Sequence, residues 1–255
     1  MSISNPITGT FGTGNVRFFY GLPRVAGGSV SNFVVPAGIS SVRVRLWGAG
    51  NQEGTSSGFA IKTIYGLVAG QTIVVTAANA PTTTTRSDSS FGSFVSVTGG
   101  STFASASRGT GVGGDINYLG GFPFTAGQAA AGTANIFGNA SDGFNTSTGS
   151  NGVSGGGCLS GADTTPTIGG NGVYGSGGIN YFNSGFGAEI KLPTSGLESS
   201  VLNLDAIGAG GGGANRQSGV NGGGAGGSGG FGGFPGGGGN GSNSSGGAGL
   251  VIVEW

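Results

Sequence analysis

Val42-Arg43-Val44-Arg45-Leu46-Trp47 alternates apolar and basic residues with a period of two, the pattern of a β-strand that presents one face to a core. It predicts that Val42, Val44 and Leu46 point inward. Upstream, Asn32-Phe33-Val34-Val35-Pro36 runs into a Pro-Ala-Gly turn. Downstream come Phe59 to Ile64, a turn over Gly66 to Gly70, Thr72 to Thr76, and Phe91 to Val97. No helical period interrupts the series, and short strands at this spacing predict an all-β fold, an antiparallel β-sandwich. The last six residues, Leu250-Val251-Ile252-Val253-Glu254-Trp255, read as one more strand. If that strand pairs in the same sheet, the glycine-rich stretch before it is a long insertion and not a tail.

Glycine supplies 64 of the 255 residues and proline 8, a level at which low complexity is the first suspicion. Disorder, however, goes with high net charge and low hydropathy. This chain has net charge zero, 35% hydrophobic residues and a mean hydropathy of +0.13, so a compact form is expected. The glycines are concentrated, with 23 in the 44 residues from 206 to 249. From Ala225 the sequence places a side chain at every third position (Ala225, Ser228, Phe231, Phe234) with Gly-Gly between. A period of three matches a polyproline-II-type helix, and here it predicts polyglycine-II helices whose backbone groups bond laterally to neighbours. Glycine loses roughly 0.5–1 kcal/mol more conformational freedom than alanine on ordering. Such runs are therefore expected to order together or not at all. Segments 79–88, 101–108, 122–131, 158–168, 179–206 and 215–220 interrupt the glycine pattern and are read as turns at the ends of the bundle, the usual carriers of binding residues.

Absences exclude chemistry. There is no His, so imidazole catalysis and His-ligated metals are ruled out, and a lone Cys158 allows neither an internal disulfide nor a Cys-based zinc site; Cys158 reads as a small buried residue. Gly208 to Gly213 lacks the Lys-Ser/Thr of a phosphate loop. Asp115, Asp142 and Asp163 do not reproduce a calcium-loop spacing and read as turn residues. Lys62 and Lys191 are the only lysines, which argues against nucleic acid. No cofactor or metal is expected, and no enzymatic activity. Nothing at the N-terminus resembles a Sec signal, and no apolar run is long enough to span a bilayer.

The run Phe33-Val34-Val35-Pro36-Ala37-Gly38 through Leu46-Trp47-Gly48-Ala49-Gly50, with the close Gly246-Gly247-Ala248-Gly249-Leu250 to Trp255, resembles the glycine-rich domain at the ends of bacteriophage tail fibres. The alternation of glycine motifs with divergent loops is similar to the polyglycine-II receptor-binding adhesin of T-even-like phages. The chain departs from that pattern at Gly48-Ala49-Gly50-Asn51-Gln52-Glu53, where a long glycine run is expected, and at Gly143 to Ser147, so a smaller or less regular bundle is one expectation.

The resemblance implies a phage receptor-binding protein on the virion, at the tail-fibre tip, made in the host cytoplasm without a signal peptide. It would attach to a bacterial surface receptor: an outer-membrane protein, a glycan or a pilus. The expected organisation is an attachment segment over 1–30, a β-sandwich over 31–98 plus 249–255, and a polyglycine-II region with receptor-binding loops over 99–248. Receptor contacts are assigned to Phe122, Phe124, Asp163, Tyr174, Tyr181, Phe182, Phe186 and Arg216, and docking onto a fibre or baseplate protein to Phe18, Phe19 and Tyr20. For the aromatics, plugs closing the bundle ends are the competing reading. Arg43 and Arg45 form either a basic stripe for anionic glycans or a solvated sheet face. A homotrimer is expected, with a monomer on a trimeric fibre as the alternative. A passive structural tail-tip protein, a polysaccharide depolymerase and an ice-binding protein are the competing functions.

Overall fold

The computed structural model describes residues 15–83, 85–102, 108–123, 130–143, 152, 167–168, 172, 175–176, 179–181, 184–186, 189–190, 204, 207–208, 222–224, 231–239 and 245–255. Among these the regular structure is almost entirely β-strand, as the period-two patterning predicts. One antiparallel sheet has the order β1 (Val16–Tyr20), β15 (Leu250–Glu254), β3 (Ser41–Trp47), β4 (Phe59–Tyr65), β9 (Ile116–Tyr118). A second has the order β2 (Gly28–Val34), β5 (Thr72–Ala78), β6 (Ser89–Phe91), β7 (Val95–Val97), β8 (Gly111–Val112). Two small antiparallel groups follow: β10 (Thr167–Ile168) with β12 (Ile179–Tyr181) and β13 (Ser184–Phe186), and β11 (Gly175–Ser176) with β14 (Glu189–Ile190).

The C-terminal hexamer does return, and it lies inside the first sheet, between β1 and β3. Val42, Val44, Leu46, Ala60, Ile64, Val251 and Val253 form one core with Phe33, Ile73, Val75, Phe91 and Val97 of the second sheet. Full burial of each such side chain contributes about 1.5–3 kcal/mol.

The opposite face of the first sheet is also covered, which the alternation at 42–47 does not predict. Register aligns Tyr20, Leu250, Trp47, Phe59 and Tyr118 across its strands. Ala134 and Leu204 pack on this face, joined by Ile136 and Ile207. Trp47 donates its indole N–H to the Ala134 carbonyl at 2.9 Å. Because this face is covered, Arg45 is only 5% exposed, and its Nε donates to Glu254 at 2.8 Å. Arg43 also pairs with Glu254, from a half-exposed position. The basic stripe is therefore answered within the chain, and Arg45 is neither a solvated residue nor a free glycan contact.

Two expected boundaries move. Residues 15–30 are not a segment apart: β1 and the start of β2 are sheet strands, and Phe18 and Phe19 are buried on opposite faces of the first sheet. Both are core residues, while Tyr20 keeps 46% of its surface exposed. The sheets also take up β8 and β9, beyond residue 98, while Gly48–Gly58 leaves them.

Gly48–Gly58 connects β3 to β4, bends at Gln52–Gly54 and returns. It is bonded laterally to seven other stretches, none of them β-strand at the contact. Ala49 N–H donates to the Ser87 carbonyl, Gly50 to Gly247, Ser57 to Gly236, Ser56 to Gly121 and Gly58 to Thr98, while Gly54 accepts from Ala131 and Ser56 from Gly109. A strand in a sheet has two lateral neighbours, so this is a different kind of packing. Asn51, Thr55, Ser56 and Ser57 are fully buried in it. Their small polar groups bond to backbone: Ser56 Oγ accepts from Gly121 N–H, and Ser57 Oγ donates to the Gly58 carbonyl. The stretch whose sequence interrupts the glycine run thus forms the middle of the network.

The closeness of the backbones sets the glycine requirement. A Cβ on Gly246 would collide with the Gly50 carbonyl group, and one on Gly50 with the carbonyl of Gly237.

Two predictions follow for unfolding in urea. Gly246→Ala is expected to lose about 3 kcal/mol, at the upper end of overpacking costs. Gly38→Asn, at φ 80° with nothing within 4 Å, should cost less than about 1 kcal/mol, because Asn tolerates the left-handed region. Equal losses would mean the close approach is not what the glycine serves. Glu254→Gln removes the carboxylate that faces the buried Arg45 charge and should cost about 2–3 kcal/mol, whereas Arg43→Gln should cost about 0–1 kcal/mol. Similar midpoints for the two variants would show that burial of Arg45 carries no special weight.

Candidate binding surface

The molecule has two unlike ends. At one, Asn15 and Trp255 exchange backbone hydrogen bonds of 2.7 and 3.0 Å. The Pro36–Ile39 and Gly66–Gly70 turns lie toward the same end, where Tyr65 and Val68 are 76% and 68% exposed. At the other end the aromatic row of the first sheet gives way to the glycine network, whose far limit is the Gln52–Gly54 bend.

Around that bend several segments of the network meet. Ala131 donates to the Gly54 carbonyl and Gly239 to Asn51. Thr55 Oγ1 donates to the Thr102 carbonyl at 3.3 Å. Pro123 and Ala130 crowd the Cβ position of Gly54, and Ala130 that of Gly224.

One cluster of side chains is described there. The Arg108 guanidinium lies 4.0 Å from the centre of the Phe122 ring, a cation–π contact. Asp142 accepts from the Phe122 N–H at 3.1 Å through one oxygen and meets Arg108 at 3.5 Å through the other. Gly143 N–H donates to the Phe122 carbonyl at 3.0 Å. The carboxylate thus fixes both the backbone of Phe122 and the cation stacked on its ring. All three residues are partly exposed, so the cluster presents a ring, a cation and an anion at the tip.

Of the assigned contact residues, Phe122 is placed here. The backbone of Tyr181 pairs with Ser184 and that of Phe186 with Ile179 in β12 and β13. Phe124, Asp163, Tyr174, Phe182 and Arg216 lie outside the described residues, as does Cys158. Arg108 and Asp142 are not assigned to the surface by sequence reading, since their contact with Phe122 is made across the fold and leaves no local pattern. Asp115 accepts from Thr63 N–H at 2.7 Å and lies 4.0 Å from Lys62, the role of a turn residue. Among the described residues no group of three or more His, Cys, Asp or Glu is placed to hold a metal ion, and no helix is long and apolar enough to cross a membrane. Comparison with family models, with curated proteins and with solved structures yields no significant match.

Asp142→Ala should free the Phe122 amide, raising its hydrogen-exchange rate about tenfold, in line with loss of a charge-assisted hydrogen bond. The Ser57 amide, bonded to Gly236, serves as the internal reference and should not change. Unaltered exchange at Phe122 would show that Asp142 does not hold it.

Proposed function

We propose that the chain is a non-enzymatic bacteriophage tail-fibre tip adhesin. In this reading the two sheets form a β-sandwich, the glycine network is a polyglycine-II bundle, and the end at Gln52–Gly54 faces a bacterial surface receptor, whether protein, glycan or pilus. The observation that carries the reading is the cluster of Arg108, Phe122 and Asp142 held beside the Gln52–Gly54 bend of a backbone-packed network. Residues held on a rigid scaffold are the usual carriers of recognition. The lateral bonding of Gly48–Gly58 to seven neighbours supports polyglycine-II packing, since a three-fold helix without internal hydrogen bonds directs its backbone groups outward all round. The neutral chain favours contact through shape and neutral polar groups over long-range steering. Several copies on one virion, as a trimer or as single adhesins on a trimeric fibre, would strengthen weak individual contacts through avidity.

The test is adsorption of the labelled chain to a panel of bacterial strains. Saturable binding to a subset, together with reduced infection by the phage that carries the protein, is the expected result. Phe122→Ala with Glu53→Arg, both at the tip, should lower adsorption at least about tenfold. Tyr65→Ser at the opposite end should leave it unchanged. Release of new reducing ends from capsule or O-antigen would replace the adhesin reading with a depolymerase. Adsorption to no strain would leave the passive structural role.

A further inference from the structure

Where β1 leaves the first sheet, a cleft of about 360 Å³ opens between the N-terminal segment and the glycine network, lined by Gly21, Pro23, Arg24, Phe231, Phe234 and Gly246. Its volume lies within the roughly 300–1,000 Å³ range of small-molecule sites. It sits beside the sheet and shares no lining residue with the cluster of Arg108, Phe122 and Asp142.

The three-residue period explains its walls. Phe231 and Phe234 are one period apart and emerge on the same side of their segment, 38% and 40% exposed. Gly233, between them, is buried, and a Cβ on Gly232 would strike the Gly237 backbone. The glycine faces are committed to neighbouring backbone, so the rings are held out and cannot turn inward. The Tyr20 ring stands 6.0 Å from Phe234 and continues the apolar wall.

Arg24 supplies the polar end. Its guanidinium is 5.9 Å from the Phe231 ring centre, and its backbone has φ 59°, a left-handed conformation that non-glycine residues adopt at a cost. Among the described residues no carboxylate pairs with Arg24, nor with Arg17, which lies over the Phe19 ring, whereas Arg43, Arg45, Arg86 and Arg108 each meet one. A ring-walled apolar cleft with one cation unanswered by a carboxylate at its edge is complementary to a single class of small molecule.

We propose that this cleft binds a small amphiphilic carboxylate, its apolar body against Phe231 and Phe234 and its anionic head on the Arg24 guanidinium. The assignment does not depend on the adhesin reading, and adsorption to bacteria has no bearing on it. An arginine fork accepts a carboxylate through two parallel hydrogen bonds. The rings accept either a planar body or a chain, so the two sources are separated by probe.

The experiment titrates the full chain with 2-naphthoate, decanoate and the neutral 2-naphthamide, followed by calorimetry. At least one carboxylate should bind at a single saturable site with a Kd of about 1 mM or tighter. Arg24→Gln should weaken that carboxylate about tenfold and leave 2-naphthamide unchanged. Phe231→Ala should weaken both, and Phe231→Leu should restore part of the affinity for decanoate. Tighter binding of 2-naphthoate assigns a planar ligand, and tighter binding of decanoate an acyl chain. Failure of both carboxylates to saturate would overturn the proposal, as would an Arg24→Gln effect of equal size on the amide, or no effect of Phe231→Ala. All three variants alter exposed side chains, and an unchanged urea midpoint establishes that each is folded.

Discussion

Backbone packed directly against backbone is the constraint on which the rest of this structure depends. A peptide group taken out of water needs a hydrogen-bond partner, and side chains normally decide how close two backbones can come. Where glycine removes the side chain, N–H and C=O groups of adjacent segments meet in several directions around one segment, as the seven neighbours of Gly48–Gly58 do. The interior then consists mostly of hydrogen-bonded backbone, with Asn51 Nδ2, Gln52 Oε1, Ser87 Oγ and Ser141 Oγ left without partners among the described residues. Its stability rests on many modest hydrogen bonds, each about 0.5–1.5 kcal/mol net, set against the large entropy loss of ordering glycine. Such a balance favours ordering only when each segment gains several neighbours at once.

The sheets supply the nucleus that such a balance lacks. Gly48 and Gly58 are fixed to the ends of β3 and β4, Gly249 to the start of β15, and Gly21 to the end of β1. Four network segments therefore begin in register, because their strands are already paired. Trp47 ties the two parts by its indole hydrogen bond to Ala134. The hydrophobic effect organises the sheets, and the sheets place the first glycine segments close enough for the others to join.

Strands were legible because period-two burial writes itself into residue type: 42–47, 59–64, 72–76 and all of the C-terminal hexamer but Trp255 fall within strands found in the structure. Residues 15–30 were not, since Phe18, Phe19 and Tyr20 are adjacent aromatics without alternation; β1 is buried on both faces, and that erases the pattern. Gly48–Gly58 was misread for a related reason. In a backbone-packed interior the requirement is smallness, and Ala49, Thr55, Ser56 and Ser57 satisfy it nearly as well as glycine when their hydroxyls find carbonyls. Counting glycine alone therefore underestimates the network. At the tip, Phe122 was found as a bulky residue in an interruption, but Arg108 and Asp142 reach it from 14 and 20 residues away along the chain, and no local pattern records a contact made by neighbouring rods.

The same reasoning bears on where variation is tolerated. A segment inside the network is constrained at nearly every position, because a single Cβ meets a neighbour's backbone, as at Gly50 and Gly246. At an end the lateral neighbours stop, and any side chain fits provided the two flanking segments stay in place. A backbone-packed rod therefore concentrates sequence freedom at its ends, and the chemistry shown to the outside changes there without cost to the interior. Phe231 and Phe234 are an intermediate case: they lie along the side of a segment whose glycines meet neighbouring backbone, and the rings stay 38% and 40% exposed.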